Sequence, residues 1–270
     1  MKLKPYLIIY ILLVSLSVNA AGQPNDAGRT LQKLYDRIVF SSSETEKLRL
    51  NDSIRLIVES YAASDSVFTT TFTGLRYLGQ ITSSDKRIKI ITWNLLLHDG
   101  TNYYYCYLIR KGKRSEGNRV YVLTGSHLPE PAASDKQYAP DNWYGALYYA
   151  IEPCRKDYII LGLDFGGRME SRKIIDVLSF TPGGDMILGK DLFARQNQKR
   201  FREVIEYSSQ SVVSLRFDNP RLIVFDHLAA FSSGDEEKLS LGAGVSFDGY
   251  EFKKGTWNFI TGVDARNPKK

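Results

Sequence analysis

The sequence predicts a mainly β protein, an antiparallel meander preceded by an N-terminal α-helical hairpin. The apolar spacing changes near residue 66 from a helical period to the two-residue period of strands. Short turn signals containing Gly, Asp or Pro then separate one apolar segment from the next. No alternation of strands with helices occurs, which disfavours a parallel sheet. Two architectures stay open, a small propeller-like arrangement and a sandwich or barrel.

Residues 1–20 have the pattern of an export signal peptide. Lys2 and Lys4 precede an apolar run over residues 6–16, and Val18 and Ala20 are small residues in the positions that a signal peptidase reads. An uncleaved anchor is the alternative, but a spanning helix needs about 20 apolar residues. We therefore predict cleavage after Ala20, no membrane span in the mature chain, and a location in the periplasm or outside the cell.

Residues 21–65 are predicted to form a short lead and a helical hairpin. Two apolar stripes recur at helical spacing, and three serines at 41–43 separate them. Ser43 and Glu46 form a capping-box pattern at the start of the second helix. The stripes comprise Leu31, Leu34, Tyr35, Ile38 and Val39, then Leu50, Ile54, Ile57 and Tyr61.

Residues 66–267 are predicted to form the antiparallel β domain. A β-branched run at 69–73 reads as its first strand, and Asp99-Gly100 predicts a tight hairpin between strands at 87–97 and 102–110. A similar sequence pattern, basic residues followed by β-branched residues, recurs at 87–91, 172–175 and 221–224. The repeated blades of a propeller would produce such a recurrence. Further strands are expected at 119–124, 145–151, 157–163, 172–180, 186–188, 204–207, 212–217, 221–225, 247–252 and 256–262.

Charge and cysteine content restrict the classes of partner. Removal of Lys2 and Lys4 lowers the formal net charge from +6 to about +4, and the basic residues are dispersed, so no nucleic-acid partner is expected. Cys106 and Cys154 are an even pair that an oxidising compartment would join, and we predict a disulfide. Two buried thiols are the alternative.

Six segments of the chain carry a resemblance to a known group of proteins. The chain resembles exported, β-rich, functionally uncharacterised proteins of Bacteroidetes-type bacteria. The resemblance implies export and a β fold, and it supplies no catalytic residue. The segments are residues 84–87 with 92–94, 142–149 (NWYGALYY), 172–178 (RKIIDVL), 221–228 (RLIVFDHL), 247–250 (FDGY) and 263–267 (VDARN).

The sequence contains no strong catalytic signature. His98, His127 and His227 do not have the spacing of metal ligands, so neither a metal nor a cofactor is expected. The most serious enzymatic hypothesis is glycoside hydrolysis by a pair of loop carboxylates, which must lie about 5–10 Å apart. The candidate carboxylates are Glu130, Asp135, Asp141, Asp164 and Asp248.

Aromatic residues beside a long irregular segment give the favoured ligand-binding hypothesis. Residues 111–149 contain several prolines and little strand pattern, and they lead into Trp143 and Tyr144. Long loops on a β scaffold commonly bind partners, so Trp143, Tyr144 and His127 are the predicted ligand-binding residues. The alternative is that the aromatic side chains pack across strands.

The function predicted from sequence is that of an exported periplasmic or envelope-associated, non-enzymatic binding or interaction protein. Its partner would be an envelope protein or a glycan. The alternative is a glycan-directed hydrolase that uses a loop carboxylate pair, and the oligomeric state stays open.

Overall fold

Two helices begin the part of the chain that is described by the computed structural model, which covers residues 24–113, 117–126, 131–167, 169–196, 198–232 and 239–264. Helix α1 spans Pro24–Phe40 and helix α2 spans Glu44–Ala62. The Ser43 side chain accepts a hydrogen bond from the Glu46 amide at 3.3 Å, which confirms Ser43 as the N-cap. The reciprocal bond of the predicted capping box is replaced, because the Glu46 carboxylate accepts from Arg37 and Ser41 and the Ser43 amide donates to Ser41 Oγ. Helix α2 docks on the β domain, where the Trp93 indole N–H donates to Asn51 Oδ1 at 2.8 Å.

The first predicted strand, at 69–73, is wrong. A 3-10 turn spans Asp65–Phe68, and the backbone that follows is irregular. The hydroxyls of Thr69 and Thr70 donate to the Ser66 carbonyl at 3.0 and 2.9 Å. These local bonds offer the backbone an alternative to a sheet, and they override the β propensity of the threonines.

The remaining chain forms three sheets. The first has the strand order β1 (Gly79–Thr82), β2 (Ile88–Leu96), β3 (Asn102–Arg110) and β4 (Arg119–Ser126). The second has the order β11 (Arg202–Ser208), β7 (Glu170–Phe180), β6 (Asp157–Asp164) and β5 (Leu147–Cys154), with β8 (Met186–Leu188) also paired to β7. The third has the order β10 (Gln198–Arg200), β9 (Phe193–Arg195), β15 (Thr256–Val263), β14 (Leu239–Lys253), β13 (Leu222–Ser232) and β12 (Leu215–Asn219).

The sheets stack face to face, with the helices on the outer face of the first sheet. Neighbouring residues point to opposite faces of a strand, so Ile90 packs toward the second sheet and Ile91 toward the helices. In the second sheet, Ile174 lies in the core shared with the first sheet and Ile175 in the core shared with the third. The second sheet is therefore buried on both faces.

These observations confirm the mainly β prediction, the antiparallel sheets and the two N-terminal helices. All strand pairings are antiparallel among the described residues except that of β15 with β9, which is parallel. The described strands form an open stack without a closed barrel. The recurring segments at 87–91, 172–175 and 221–224 fall in β2, β7 and β13, one in each sheet.

The hairpin at Asp99-Gly100 is present with a longer loop than a two-residue turn. Leu96 pairs with Asn102, so residues 97–101 form the connection, and Gly100 has φ +90°. The Asp99 carboxylate accepts from the Thr101 amide at 2.8 Å, which stabilises this wider turn.

The predicted disulfide is wrong: Cys106 and Cys154 are free, buried thiols. Cys106 belongs to the core between the first and second sheets, and Cys154 to the core between the second and third. Burial raises the pKa of both thiols. Each cysteine thus packs as a small apolar side chain, and the second sheet places them in separate cores.

Within the described residues, no helix combines the length and the apolar character needed to cross a bilayer.

Candidate binding cleft at the edge of the second sheet

The predicted binding residues Trp143 and Tyr144 do not form a surface, so this prediction needs correction. Their side chains are buried, at 4% and 3% exposure, in the core between the first and second sheets. The Trp143 indole N–H donates to the Tyr148 hydroxyl at 2.9 Å, and the Tyr144 hydroxyl donates to Asp176 Oδ2 at 2.9 Å. Polar tips that find partners inside the core let these aromatic residues be buried. His127 lies outside the described residues.

A buried ion pair holds the segment before Trp143 in place. Arg202 and Asp176 are fully buried, and Arg202 Nε donates to Asp176 Oδ2 at 2.9 Å. The same guanidinium stacks on the rings of Tyr138 and Tyr144, with its central carbon 4.6 and 5.4 Å from the ring centroids. It also donates to the carbonyls of Ala133, Lys136 and Leu188. The ion pair therefore anchors residues 131–146, of which Ala132, Tyr138, Trp143, Tyr144 and Ala146 are buried in the core.

The aromatic side chains of β3 are also packed. Trp93 stacks on Tyr105 and Tyr107, with ring centroids 5.2 and 5.9 Å apart and interplanar angles of 15° and 4°. Both tyrosines lie in the core beneath the helices. These aromatic side chains thus pack against a neighbouring strand, and the stacking contributes to stability.

The five predicted carboxylates are in different environments. Glu130 lies outside the described residues, and Asp135 and Asp141 are exposed on the segment before Trp143. Asp164 is buried and accepts from Arg172 at 3.0 Å and from the Tyr104 hydroxyl at 2.9 Å. These contacts give Asp164 a role in linking β6, β7 and β3. Asp248 lines a cleft that carries other polar groups.

That cleft lies between the edge strand β11 and the hairpin of β13 and β14, and we name it the β11 cleft. Its volume is about 320 Å³. It combines apolar side chains with an imidazole, a guanidinium and three carboxylates. The lining residues are Arg195, Glu203, Val204, Ile205, Glu206, Phe225, His227, Leu228 and Asp248.

His227 and Asp248 form the most accessible polar pair in the β11 cleft. His227 Nδ1 lies 2.8 Å from Asp248 Oδ2, with the imidazole 50% exposed and the carboxylate 9% exposed. The pairing of β13 with β14 shifts register between Asp226 and Leu228. Such a bulge turns a side chain away from its regular direction. The arrangement orients the imidazole through Asp248 and leaves the ring open to a partner.

Glu203 is a fixed charge at the base of the cleft. Its side chain is 1% exposed and accepts from Arg195 and Arg200, and the Tyr250 hydroxyl donates to it at 2.8 Å. Burial and the nearby Glu203 carboxylate raise the pKa of Tyr250, so its hydroxyl stays protonated as a donor. The buried carboxylate is thus compensated by two guanidiniums, from Arg195 in β9 and Arg200 in β10 of the third sheet.

Sequence reasoning named Asp248 as a candidate carboxylate, considered His227 only as a metal ligand that it excluded, and did not bring the two together. His227 stands 21 positions from Asp248, and only the pairing of β13 with β14 places them side by side. Arg195 and Glu203 were missed, because short strands such as β9 have too few residues for a periodic signal.

No family model, no curated protein and no solved structure matched this chain. Across the residues that the structure describes, no group of three or more His, Cys, Asp or Glu side chains is placed to hold a metal ion.

Proposed function

We propose that this chain is an exported, periplasmic or envelope-associated, non-enzymatic binding protein whose partner occupies the β11 cleft. The observation that carries the proposal is the half-exposed His227 imidazole, oriented by Asp248 and set beside apolar side chains. Binding sites commonly combine an apolar wall with a few polar groups held in fixed directions.

The cleft supplies both kinds of contact. Phe225, Ile205 and Leu228 provide the apolar wall. Asp248 Oδ2 lies 2.8 Å from Nδ1 of His227, which leaves Nε2 of the ring for a partner. Glu203 is held by Arg195 and Arg200, so its charge is paired. These groups require no large rearrangement before a partner binds, which lowers the entropic cost of association.

The test is capture of a partner by cross-linking in the envelope of the producing cell, compared between variants of the full chain. We expect one partner to be enriched in stoichiometric amount by the unchanged chain and lost with Leu228→Glu, which places a charge on the apolar wall. His227→Ala should weaken the capture. Leu56→Glu is the matched control, because Leu56 is 68% exposed on helix α2, away from the cleft lining.

Equal thermal unfolding midpoints for the three variants would show that each one folds. Capture by Leu228→Glu at the level of Leu56→Glu would contradict the assignment of the partner to the β11 cleft. Absence of any stoichiometric partner would contradict the proposal of an interaction protein.

Glycan hydrolysis is a second candidate, and one observation favours it: Asp248, one of the candidate carboxylates, lines the β11 cleft beside an imidazole and apolar side chains. In this alternative, Asp248 would be one member of the carboxylate pair that acts on a sugar ring. Turnover on a panel of envelope and plant glycans, abolished by Asp248→Asn with binding retained, would support hydrolysis, and a panel without turnover would refute it.

A further inference from the structure

We propose that the partner in the β11 cleft is an extended peptide that adds as a new strand to the outer edge of β11. This inference rests on the proposed function and specifies the chemistry of the partner. It predicts a peptide in which apolar and basic side chains alternate.

The first step of the argument is that β11 is an edge strand. Within the described residues, β11 pairs with β7 on one side, over Arg202–Ser208 with Asp176–Glu170, and with no strand on the other. An edge strand presents a row of backbone N–H and C=O groups that another strand can use. Addition of a peptide to such an edge is an established mode of recognition.

The second step identifies which backbone groups point outward. The Ser209 amide donates to the Met169 carbonyl at 2.9 Å, in continuation of the pairing of β11 with β7. Residues of an antiparallel strand alternate between bonding to one neighbour and to the other. Glu203, Ile205 and Tyr207 therefore bond to β7, and the N–H and C=O groups of Val204 and Glu206 point toward the outer edge.

A second hydrogen bond supports this assignment of inward and outward backbone groups. The Ser208 carbonyl accepts from the Ser211 amide at 2.9 Å, so Ser208 directs its carbonyl away from β7. Ser208 has the same parity as Val204 and Glu206, both of which line the cleft. The outward backbone groups of β11 thus lie at the cleft itself.

The third step uses the side chains to define the peptide. The Ile205 side chain faces the third sheet, beside Phe225 and Leu228, so one face of an added strand would meet an apolar wall. The Glu206 side chain lies on the opposite face of β11 and is half-exposed. Alternate residues of the added strand would therefore be apolar and basic.

The charge of the cleft agrees with a basic peptide. Glu203 is compensated by Arg195 and Arg200, and Asp248 is paired with His227. Glu206 and Glu170 are half-exposed and share the single guanidinium of Arg172 with Asp164, which leaves negative charge beside the outer edge of β11. Charge complementarity of this kind selects partners and orients them. A Lys or Arg of the peptide would lie beside Glu206, where it shares the carboxylate with Arg172.

The experiment is affinity selection from a phage-displayed library of random peptides of about 12 residues, long enough to exceed an ordinary strand. The bait is the full, unchanged chain. We expect enriched sequences in which apolar residues alternate with Lys or Arg. A synthetic fluorescent copy of the most enriched peptide then serves as the probe in anisotropy titrations.

Two perturbations test the backbone pairing directly. Val204→Pro removes one outward N–H, which an edge strand tolerates, and Val204→Ala is its matched control. A second probe carries N-methyl groups on alternate residues of the peptide and requires no change in the protein. We expect Val204→Pro and one of the two N-methylation phases to weaken binding by about tenfold or more, from lost hydrogen bonds and a steric clash. Val204→Ala keeps the outward N–H, so the loss of binding should be larger with Val204→Pro than with Val204→Ala.

The outcomes separate this inference from the proposed function. Suppose that the probe binds, that Leu228→Glu abolishes its binding, and that neither Val204→Pro nor N-methylation of the peptide weakens it. The cleft then binds a partner, and strand addition is refuted. If the selected peptides are acidic or lack alternation, the inferred chemistry is refuted. If selection enriches no peptide, the peptide inference fails, and the envelope capture decides the proposed function alone.

Discussion

The buried Arg202 side chain gives the sharpest test of the physical account of the core. Replacement by Met keeps an unbranched side chain of similar length and removes the charge and all donors. Asp176 is then left as a buried carboxylate without its ion-pair partner, and three carbonyl groups lose a donor. Breaking one partner of a buried pair costs about 3–5 kcal/mol. We expect Arg202→Met to lower the free energy of unfolding by that amount, measured by guanidinium titration with tryptophan fluorescence.

Arg29→Met is the control, since it breaks an exposed ion pair with Asp26 whose side chains are 73% and 74% exposed. Exposed pairs contribute less than about 1 kcal/mol. The double variant Arg202→Met with Asp176→Leu should recover part of the loss, because no buried charge remains without a partner. If the free energies of unfolding of Arg202→Met and Arg29→Met differ by less than about 1 kcal/mol, the anchoring of residues 131–146 by this ion pair is refuted.

Three further predictions concern the thiols, the acid response and export. Cys106 and Cys154 should react with a thiol reagent only after unfolding, and the gel mobility of the chain should not change on reduction, whereas an oxidised pair would contradict the free thiols. Burial raises the pKa of Asp85, but hydrogen bonds from Ser83, the Arg87 amide and the Tyr158 hydroxyl outweigh burial and lower it. A lowered carboxyl pKa stabilises the fold above pH of about 4 and ceases to do so as the pH falls through the folded value. Between pH 5 and pH 3, the thermal unfolding midpoint of the unchanged chain should therefore fall more than the midpoint of Asp85→Asn. A larger fall in Asp85→Asn would refute this reasoning. For export, intact mass measurement of the secreted or periplasmic protein should give a chain that begins at Ala21, and a full-length mass in the cytoplasm would contradict the signal peptide.

The sequence was sufficient to predict most strands because each carries its own local signal. The period-two pattern places β7, β8 and β15 close to where the structure has them. Strand β14 begins at Leu239, well before the predicted segment 247–252. The strands β1, β9 and β10 were missed, since segments of three or four residues have no measurable period. The stacking of three sheets also has no local signal, because it depends on which faces meet.

The site was harder to predict than the fold. Trp143 and Tyr144 follow a proline-rich segment, which is a reasonable sign of an exposed loop. The sequence did not reveal that two residues far along the chain would anchor that segment. Asp176 accepts a hydrogen bond from Tyr144, and Arg202 donates to Asp176. Polar partners inside a core are set by tertiary contacts, so aromatic residues destined for burial look the same in sequence as those that bind a ligand.

The burial of the second sheet on both faces has a consequence while the chain folds from its N-terminus. The helices and the first sheet precede it in the chain, and they can cover the face that carries Ile174. The face that carries Ile175 must wait for the third sheet, whose strand β15 ends at Val263. Until then an apolar surface is exposed, through which incompletely folded chains aggregate or recruit chaperones. A chain that stops after β11 should therefore be far more dependent on chaperones than the complete chain, even though every strand of its second sheet is present.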